Sequence, residues 1–292
     1  MSKQRILAMV LVAAGLAACT TSSKPDLSGM TFADDPLIGK VIWHDLITED
    51  LESAKRFYGG MFDWTFEDTK APSGQDYSVA RSGNVYVAGM LTIASPEDGS
   101  NYSRWLPYIS VSDVDETLSK VTAAGGSVAA TARDVNLGRV AAILDPEGAV
   151  IGLARSRFGD PDDQTTSAAP GRPMWTELLA DDTSAAISFY QTTIGYDVRT
   201  LERRGGQYTL LGSNGVDRVG IMKNPSEDVK PVWLTYFGVT DPVAAAAKAE
   251  ELGGRVILPP SPELRNGTLA VVEDPSGAIL VLQNWSNIGG EG

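Results

Sequence analysis

Two acidic residues offer the clearest chemistry in this chain. Asp45 and Glu177 hold the same place in two matching runs, Trp43-His44-Asp45-Leu46 and Trp175-Thr176-Glu177-Leu178. A carboxylate held among apolar neighbours can act as a general base on a bound molecule, so either residue is a candidate for that role. Aromatic side chains recur with them: Trp43, Trp105 and Tyr108 in the first half, Trp175, Trp233 and Tyr236 in the second. Such residues either fill a core or line a pocket with the two acids at its floor, and both readings stand at this point. In the pocket reading these six aromatics, with Asp45 and Glu177, are the ligand-binding set.

Other catalytic apparatus is sparse. The chain has one histidine, His44, and one cysteine, Cys19. Side chains alternate faces along a strand, so Trp43, Asp45 and Ile47 share one face while Ile42, His44 and Leu46 share the other. His44 is therefore expected as a hydrogen-bonded packing residue, with Thr176 at its twin position. Adjacent residues on a strand diverge, which makes His44 and Asp45 a poor metal pair. No nucleophile elbow, phosphate loop or Cys/His cluster occurs. Asp145 and Asp274 read as turn residues rather than catalysts.

The elements that must position these residues come in two copies. Trp43, Phe57-Tyr58 and Phe62-Asp63-Trp64 match Trp175, Phe189-Tyr190 and Ile194-Gly195-Tyr196 at one offset of 132 residues. Trp105-Leu106-Pro107-Tyr108 matches Trp233-Leu234-Thr235-Tyr236, Gly125-Gly126 matches Gly253-Gly254, and Asp145-Pro146-Glu147-Gly148-Ala149 matches Asp274-Pro275-Ser276-Gly277-Ala278. Each copy alternates strand and helix signals. In the first, residues 41–47 read as a strand and 50–58 as a short helix, followed by strands near 77–80, 85–91 and 106–111. A second helix starts at Asp113 and stops at Gly125-Gly126, and strands near 140–144 and 150–153 close the copy. In the second copy Asp241 caps and Pro242 occupies the first helical position.

A strand, a short helix carrying Phe-Tyr and three strands, with an Asp-Pro-x-Gly turn before the last, resembles the βαβββ unit of the glyoxalase/bleomycin-resistance/dioxygenase (vicinal oxygen chelate) superfamily. The resemblance covers about residues 36–285. It implies an α+β fold of tandem βαβββ modules, four in all, whose curved sheets enclose a cavity. It also implies one divalent cation held by His, Glu or Gln on the cavity-facing strands, which would chelate neighbouring substrate oxygens. Carried onto this chain, those ligand positions fall on Trp43 and Trp175, near Leu106 and Leu234, and on Gly152 or Val281. None of these can ligate a metal, so neither a metal nor a cofactor is expected.

The first residues resemble a bacterial lipoprotein signal. Lys3 and Arg5 precede an apolar run from Ile6 to Ala18 that ends in Leu16-Ala17-Ala18-Cys19, similar to a lipobox. The expected organisation is a signal at 1–18, a flexible tether at 19–36, repeats at 37–158 and 173–286, and a linker at 159–172. Lipidation of Cys19 would make the membrane a partner, and Thr20 after it favours the periplasmic face of the outer membrane for this exported chain. The formal charge of −13, which falls to −15 without Lys3 and Arg5, repels phosphate backbones and argues against nucleic acid. Three functions remain open: a metal-free protein binding a small organic molecule, a glyoxalase- or lyase-type enzyme with Asp45 or Glu177 as base, and a structural or interaction lipoprotein with a filled cavity. The missing metal ligands favour the first over the second.

Overall fold

The computed structural model describes Leu27 and residues 30–163, 169–203 and 206–284; Cys19 and the signal-like segment lie outside the described residues. The first repeat runs β1 (Val41–Thr48), α1 (Leu51–Phe62), β2 (Thr65–Lys70), β3 (Asp76–Ser82), β4 (Val85–Thr92), β5 (Arg104–Ser110), α2 (Val114–Ala123), β6 (Ser127–Val135), β7 (Gly138–Leu144) and β8 (Val150–Ser156). The second runs β9 (Pro173–Ala180), α3 (Thr183–Ile194), β10 (Asp197–Arg203), β11 (Gly206–Ser213), β12 (Val216–Lys223), β13 (Val232–Gly238), α4 (Pro242–Glu251), β14 (Arg255–Leu258), β15 (Leu269–Glu273) and β16 (Ile279–Gln283). This is the expected α+β fold of tandem modules. Each repeat forms one eight-stranded mixed sheet, in the orders β2-β3-β4-β1-β5-β8-β7-β6 and β10-β11-β12-β9-β13-β16-β15-β14. The first strand of each repeat thus lies at mid-sheet, parallel to one neighbour and antiparallel to the other.

The structure differs from the sequence reading at the sheet edges and at one helix end. β2 and β6 were not expected as strands; both are edge strands, and most residues of β2 are exposed, so neither shows a buried apolar face. Helix α1 continues past Tyr58 to Phe62 and ends at Asp63 in the left-handed region (φ 55°). Among the described residues each of the four α-helices starts on an aspartate whose carboxylate accepts backbone N–H groups of the first turn: Asp50, Asp113, Asp182 and Asp241. Those caps satisfy donors that the helix leaves unpaired.

The sheets meet across their helix-bearing faces, and the halves pair crosswise. One core joins α1 and β4 of the first repeat to α4, β15 and β16 of the second, around Phe57, Tyr58, Met90, Phe237 and Leu280. The other joins α2, β7 and β8 to α3, β11 and β12, around Val121, Ile143, Phe189, Tyr190 and Leu211. The paired glycines after α2 and α4 serve this packing. Gly125 and Gly253 take φ near 90° to end their helices, whereas Gly126 and Gly254 admit the rings of Phe189 and Phe57 from the other repeat, where a Cβ would lie within 2.9 Å and 2.8 Å of ring atoms.

Two equivalent hydrogen-bonded chains cross this interface. Trp105 donates Nε1–H to the Tyr58 hydroxyl at 2.9 Å, and Tyr58 donates to Asp274 Oδ2 at 3.0 Å. Trp233 donates to Tyr190 at 3.0 Å, and Tyr190 to Asp145 Oδ2 at 3.1 Å. The remaining oxygen of each aspartate closes its own Asp-Pro-x-Gly turn, accepting from Glu147 and Ala149 or from Ser276 and Ala278. His44 lies between β1 and β9, 3.4 Å from the Thr176 hydroxyl, and burial holds its imidazole down at about 3, so it stays neutral at ordinary pH.

Removing one hydroxyl from either chain leaves a buried indole N–H and a carboxylate oxygen unmatched. Tyr58→Phe and Tyr190→Phe should each lower the unfolding free energy by about 1–3 kcal/mol. The two chains share no partner, so the double variant should lose close to the sum. Denaturant titration at constant m value measures both; a loss near zero would show that these chains do not hold the repeats together.

Candidate functional site

Away from the interface, each sheet presents a concave face, and the two acids lie one on each. Asp45 is buried on β1 of the first sheet and Glu177 on β9 of the second. Since His44 and Thr176 meet between the sheets, the next side chain on each strand points to the outer face. The expectation of two acids sharing one floor is therefore corrected: the molecule has two concave faces with one acid apiece.

In the first repeat Asp45 pairs across the sheet with Gly89 and Leu106. Gly89 has no side chain because the Tyr77 hydroxyl and Asp45 Oδ1 fill the space where its Cβ would stand. Oδ1 accepts from Trp43 Nε1 at 2.8 Å and from the Tyr77 hydroxyl at 2.7 Å. Tyr108 lies across from Trp43, over Gly152. Its hydroxyl is buried beside the same carboxylate. Arg133 Nε and Nη2, on β6, are buried and without a hydrogen-bond partner among the described residues. Burial pushes the Asp45 carboxyl up to about 6, against the lowering effect of Tyr77, Trp43, Tyr108 and Arg133. A cavity of about 110 Å³ opens above it. Trp43 and Tyr108 form its inner wall, while Met30, Phe32 and Phe158 contribute from segments flanking the sheet. Those segments are pinned: Phe32 bridges to Pro161, Ala33 N–H donates to Asp160 O at 2.9 Å, and Leu37 N–H donates to Asp160 Oδ2 at 2.7 Å.

The second repeat uses the same plan with a different content. Glu177 accepts from the Tyr236 hydroxyl at 2.6 Å, and Trp175 Nε1 donates to Tyr208 at 3.1 Å. Arg265, from a 3-10 turn at Arg265–Gly267, reaches Glu177 Oε2 at 3.0 Å. Its guanidinium carbon lies 5.8 Å and 5.4 Å from the ring centroids of Tyr208 and Tyr236. Burial works against its charge, but Tyr236, Glu177 and Tyr208 outweigh that and hold it firmly ionised. Arg265 and Asn266 both take left-handed φ, 46° and 55°, a costly backbone for residues with a Cβ.

Of the residues expected to bind ligand, Trp43, Asp45 and Tyr108 come together in the first cavity, and Trp175, Glu177 and Tyr236 on the second concave face. Trp105 and Trp233 do not join them; they face the other way, into the inter-repeat cores. Tyr77, Tyr208, Arg133 and Arg265 were missed. The repeat itself marked two of these, since Tyr77 and Tyr208 stand 131 residues apart, as do Gly89 and Gly220. The residues at the positions where a divalent cation would be held do not fit one. Trp43, Leu106 and Gly152 surround a single carboxylate whose Oδ1 already serves two neutral donors, and Glu177 is matched by Arg265. Among the described residues no three His, Cys, Asp or Glu side chains cluster as ligands.

Comparisons with known proteins agree with this architecture. A family model described as Glyoxalase/Bleomycin resistance protein/Dioxygenase superfamily matches residues 40–153 and 172–282. A Mycobacterium tuberculosis protein, provisionally named glyoxylase CFP32, is 36% identical over 243 residues, covering 82% of this chain and 92% of its own length. The anthracycline biosynthesis protein DnrV of Streptomyces peucetius is 30% identical over 263 residues, covering 82% and 91%. Among solved structures, the Mn(II)-bound glyoxalase from Novosphingobium aromaticivorans aligns with a TM-score of 0.56 at 14% identity, over 85% of this chain and 82% of that one. At that identity the likeness is one of fold.

The raised Asp45 carboxyl has a consequence for stability. Its ordinary value is 3.8, so between about pH 4 and pH 6 the folded chain holds a proton that the unfolded chain has released. The residue's contribution to stability is therefore full below that window, falls as pH rises through it, and is constant above. Relative to the wild type, Asp45→Asn should gain on the order of 1–3 kcal/mol across the window and then level off. Unfolding free energies from pH 4 to pH 8 measure this; a difference that does not change with pH would contradict the burial of an ionisable Asp45.

Proposed function

Because the chain belongs to the glyoxalase/bleomycin resistance protein/dioxygenase superfamily, we propose that it is a metal-free binding protein that holds a small organic molecule in the first-repeat cavity. One observation carries this reading: a buried carboxylate, Asp45, stands in a largely apolar, aromatic-walled cavity whose lining also includes Arg155 and Ser156. Such a cavity gains from burying an apolar body, while its few polar groups select what the body carries. The Streptomyces relative's name, tied to anthracycline biosynthesis, accords with an aromatic ligand. Export and anchoring through lipid on Cys19 complete the proposal and rest on the lipobox-like run at 16–19, with the periplasmic face of the outer membrane as the location. Among the described residues no helix is long and apolar enough to cross a membrane. The acidic balance leaves nucleic acid an unsuitable partner.

A second reading has its own support. An Asp45 held at about 6 is ionised near neutral pH yet still basic enough to take a proton, which suits a lyase-type general base, and the mycobacterial relative carries a glyoxylase name. Filling of the cavity by the chain's own side chains describes the second repeat, where Arg265 occupies the concave face, better than the first.

Elemental analysis and melting with and without EDTA test the metal-free state: no stoichiometric transition metal and an unchanged Tm are expected. Bound metal that is lost in Asp45→Asn would overturn the reading and favour the enzyme. For the anchor, labelled palmitate should enter the wild-type chain and not Cys19→Ser; absence of label from the wild type would remove that part.

A further inference from the structure

We infer that the molecule taken by the first-repeat cavity is a monovalent organic cation, a guanidinium or primary ammonium on an apolar body, and that Arg265 is the second repeat's built-in version of it. The inference rests on the binding reading above and adds the ligand's class.

The two repeats build the same cage. Four cage residues correspond one to one: Trp43 with Trp175, Asp45 with Glu177, Tyr77 with Tyr208, and Tyr108 with Tyr236. In both sheets a glycine opposite the acid, Gly89 or Gly220, makes room for the acid and the first tyrosine. In the second copy this cage holds a guanidinium, ion-paired to the acid and facing both tyrosine rings. A carboxylate beneath electron-rich ring faces is what an organic cation requires. The backbone holding Arg265 there is left-handed at two successive residues, so the occupant is retained against local strain.

The first copy keeps the cage, but among the described residues no cation is ion-paired or hydrogen-bonded to its acid. Among the described residues Asp45 Oδ1 accepts from the neutral donors Trp43 and Tyr77, and the Tyr108 hydroxyl lies buried beside the same carboxylate. Asp45 is also one methylene shorter than Glu177, which leaves more room above the carboxylate. Arg133 approaches from β6, close enough for its charge to act on Asp45 and Tyr108, but it does not play the part of Arg265: its Nε and Nη2 hydrogen-bond to nothing among the described residues, and it is not part of the cavity wall. Arg155 is in that wall, half-buried, and lies on β8 rather than beside the acid. Phe32 and Phe158 also line the cavity, which suits an apolar body trailing the charged head.

Benzylguanidine and its neutral isostere benzylurea separate the possibilities when titrated into the full chain and followed by calorimetry. Benzylguanidine should bind at least about tenfold more tightly, and Asp45→Asn should erase that preference while leaving benzylurea unaffected. If benzylurea binds as well or better, the cation inference fails and the binding reading stands; if neither binds, both fail. A second arm uses Arg265→Gly, which empties the second cage. Millimolar methylguanidinium, but not methylurea, should raise the Tm of this variant more than that of the wild type, and Glu177→Gln added to it should abolish the gain. Should Arg265→Gly not fold alone, recovery on refolding with methylguanidinium but not methylurea gives the same support, and recovery with neither overturns the inference.

Discussion

The Trp–Tyr–Asp chains across the repeat interface set the terms for the rest of the molecule. Each ties the first helix of one repeat to the last turn of the other, and each is buried, so no water can substitute for a missing partner. An aspartate that must both close a turn and receive a tyrosine hydroxyl can do so only if the two repeats dock in one register. The surrounding aromatics exploit that register: Tyr58 stacks on Trp64 at 5.6 Å and meets Trp105 edge-on at 5.2 Å, while Phe57 lies over Gly254. With the helix-bearing faces committed to each other, the opposite faces of both sheets are left to carry the two buried acids.

Duplication then gave two equivalent faces, and small changes made them unequal. Glu177 in place of Asp45 reaches one methylene further, and a turn carrying Arg265 follows β14 in the second repeat. A buried acid needs a matching charge or it must carry a proton. The second repeat meets that need internally with Arg265. The first gives its acid neutral hydrogen-bond donors and only a nearby, unbonded Arg133, so burial prevails and lifts its carboxyl to about 6, and a cavity is left above it. The same physical requirement thus yields a filled face and a hollow one.

Much of this was legible in the sequence. The constant offset between copies identified the repeat, the helix caps followed from Asp113 and Asp241, and His44 is the packing residue that its parity with Leu46 implies. The edge strands β2 and β6 were not legible, because an edge strand open to solvent carries no alternating apolar pattern: Thr65–Lys70 reads Thr-Phe-Glu-Asp-Thr-Lys. The helix expected over 50–58 continues through Gly59-Gly60 to Phe62. The second glycine is where Leu252 at the end of α4 approaches α1, leaving no space for a Cβ.

The two tryptophans assigned to the wrong face could have been placed by counting. Trp105 and Tyr108 are three residues apart on one strand, and Trp233 and Tyr236 likewise; an odd separation puts the members of each pair on opposite faces. Once Tyr108 stands beside Asp45, Trp105 must face the helices, where it finds the Tyr58 hydroxyl. What counting could not supply is the content of the concave faces. Arg265 lies 88 residues from Glu177, in a turn with no helical or strand period, and the outer wall of the first cavity comes from Met30 and Phe32 before the sheet and Phe158 after it. These are contacts between segments distant in sequence, fixed by Asp160 as it accepts from both Leu37 and Ser110. They arise where the stretches before β1 and after β8 meet beside the first sheet, so the cavity is a product of tertiary packing and leaves no local signature.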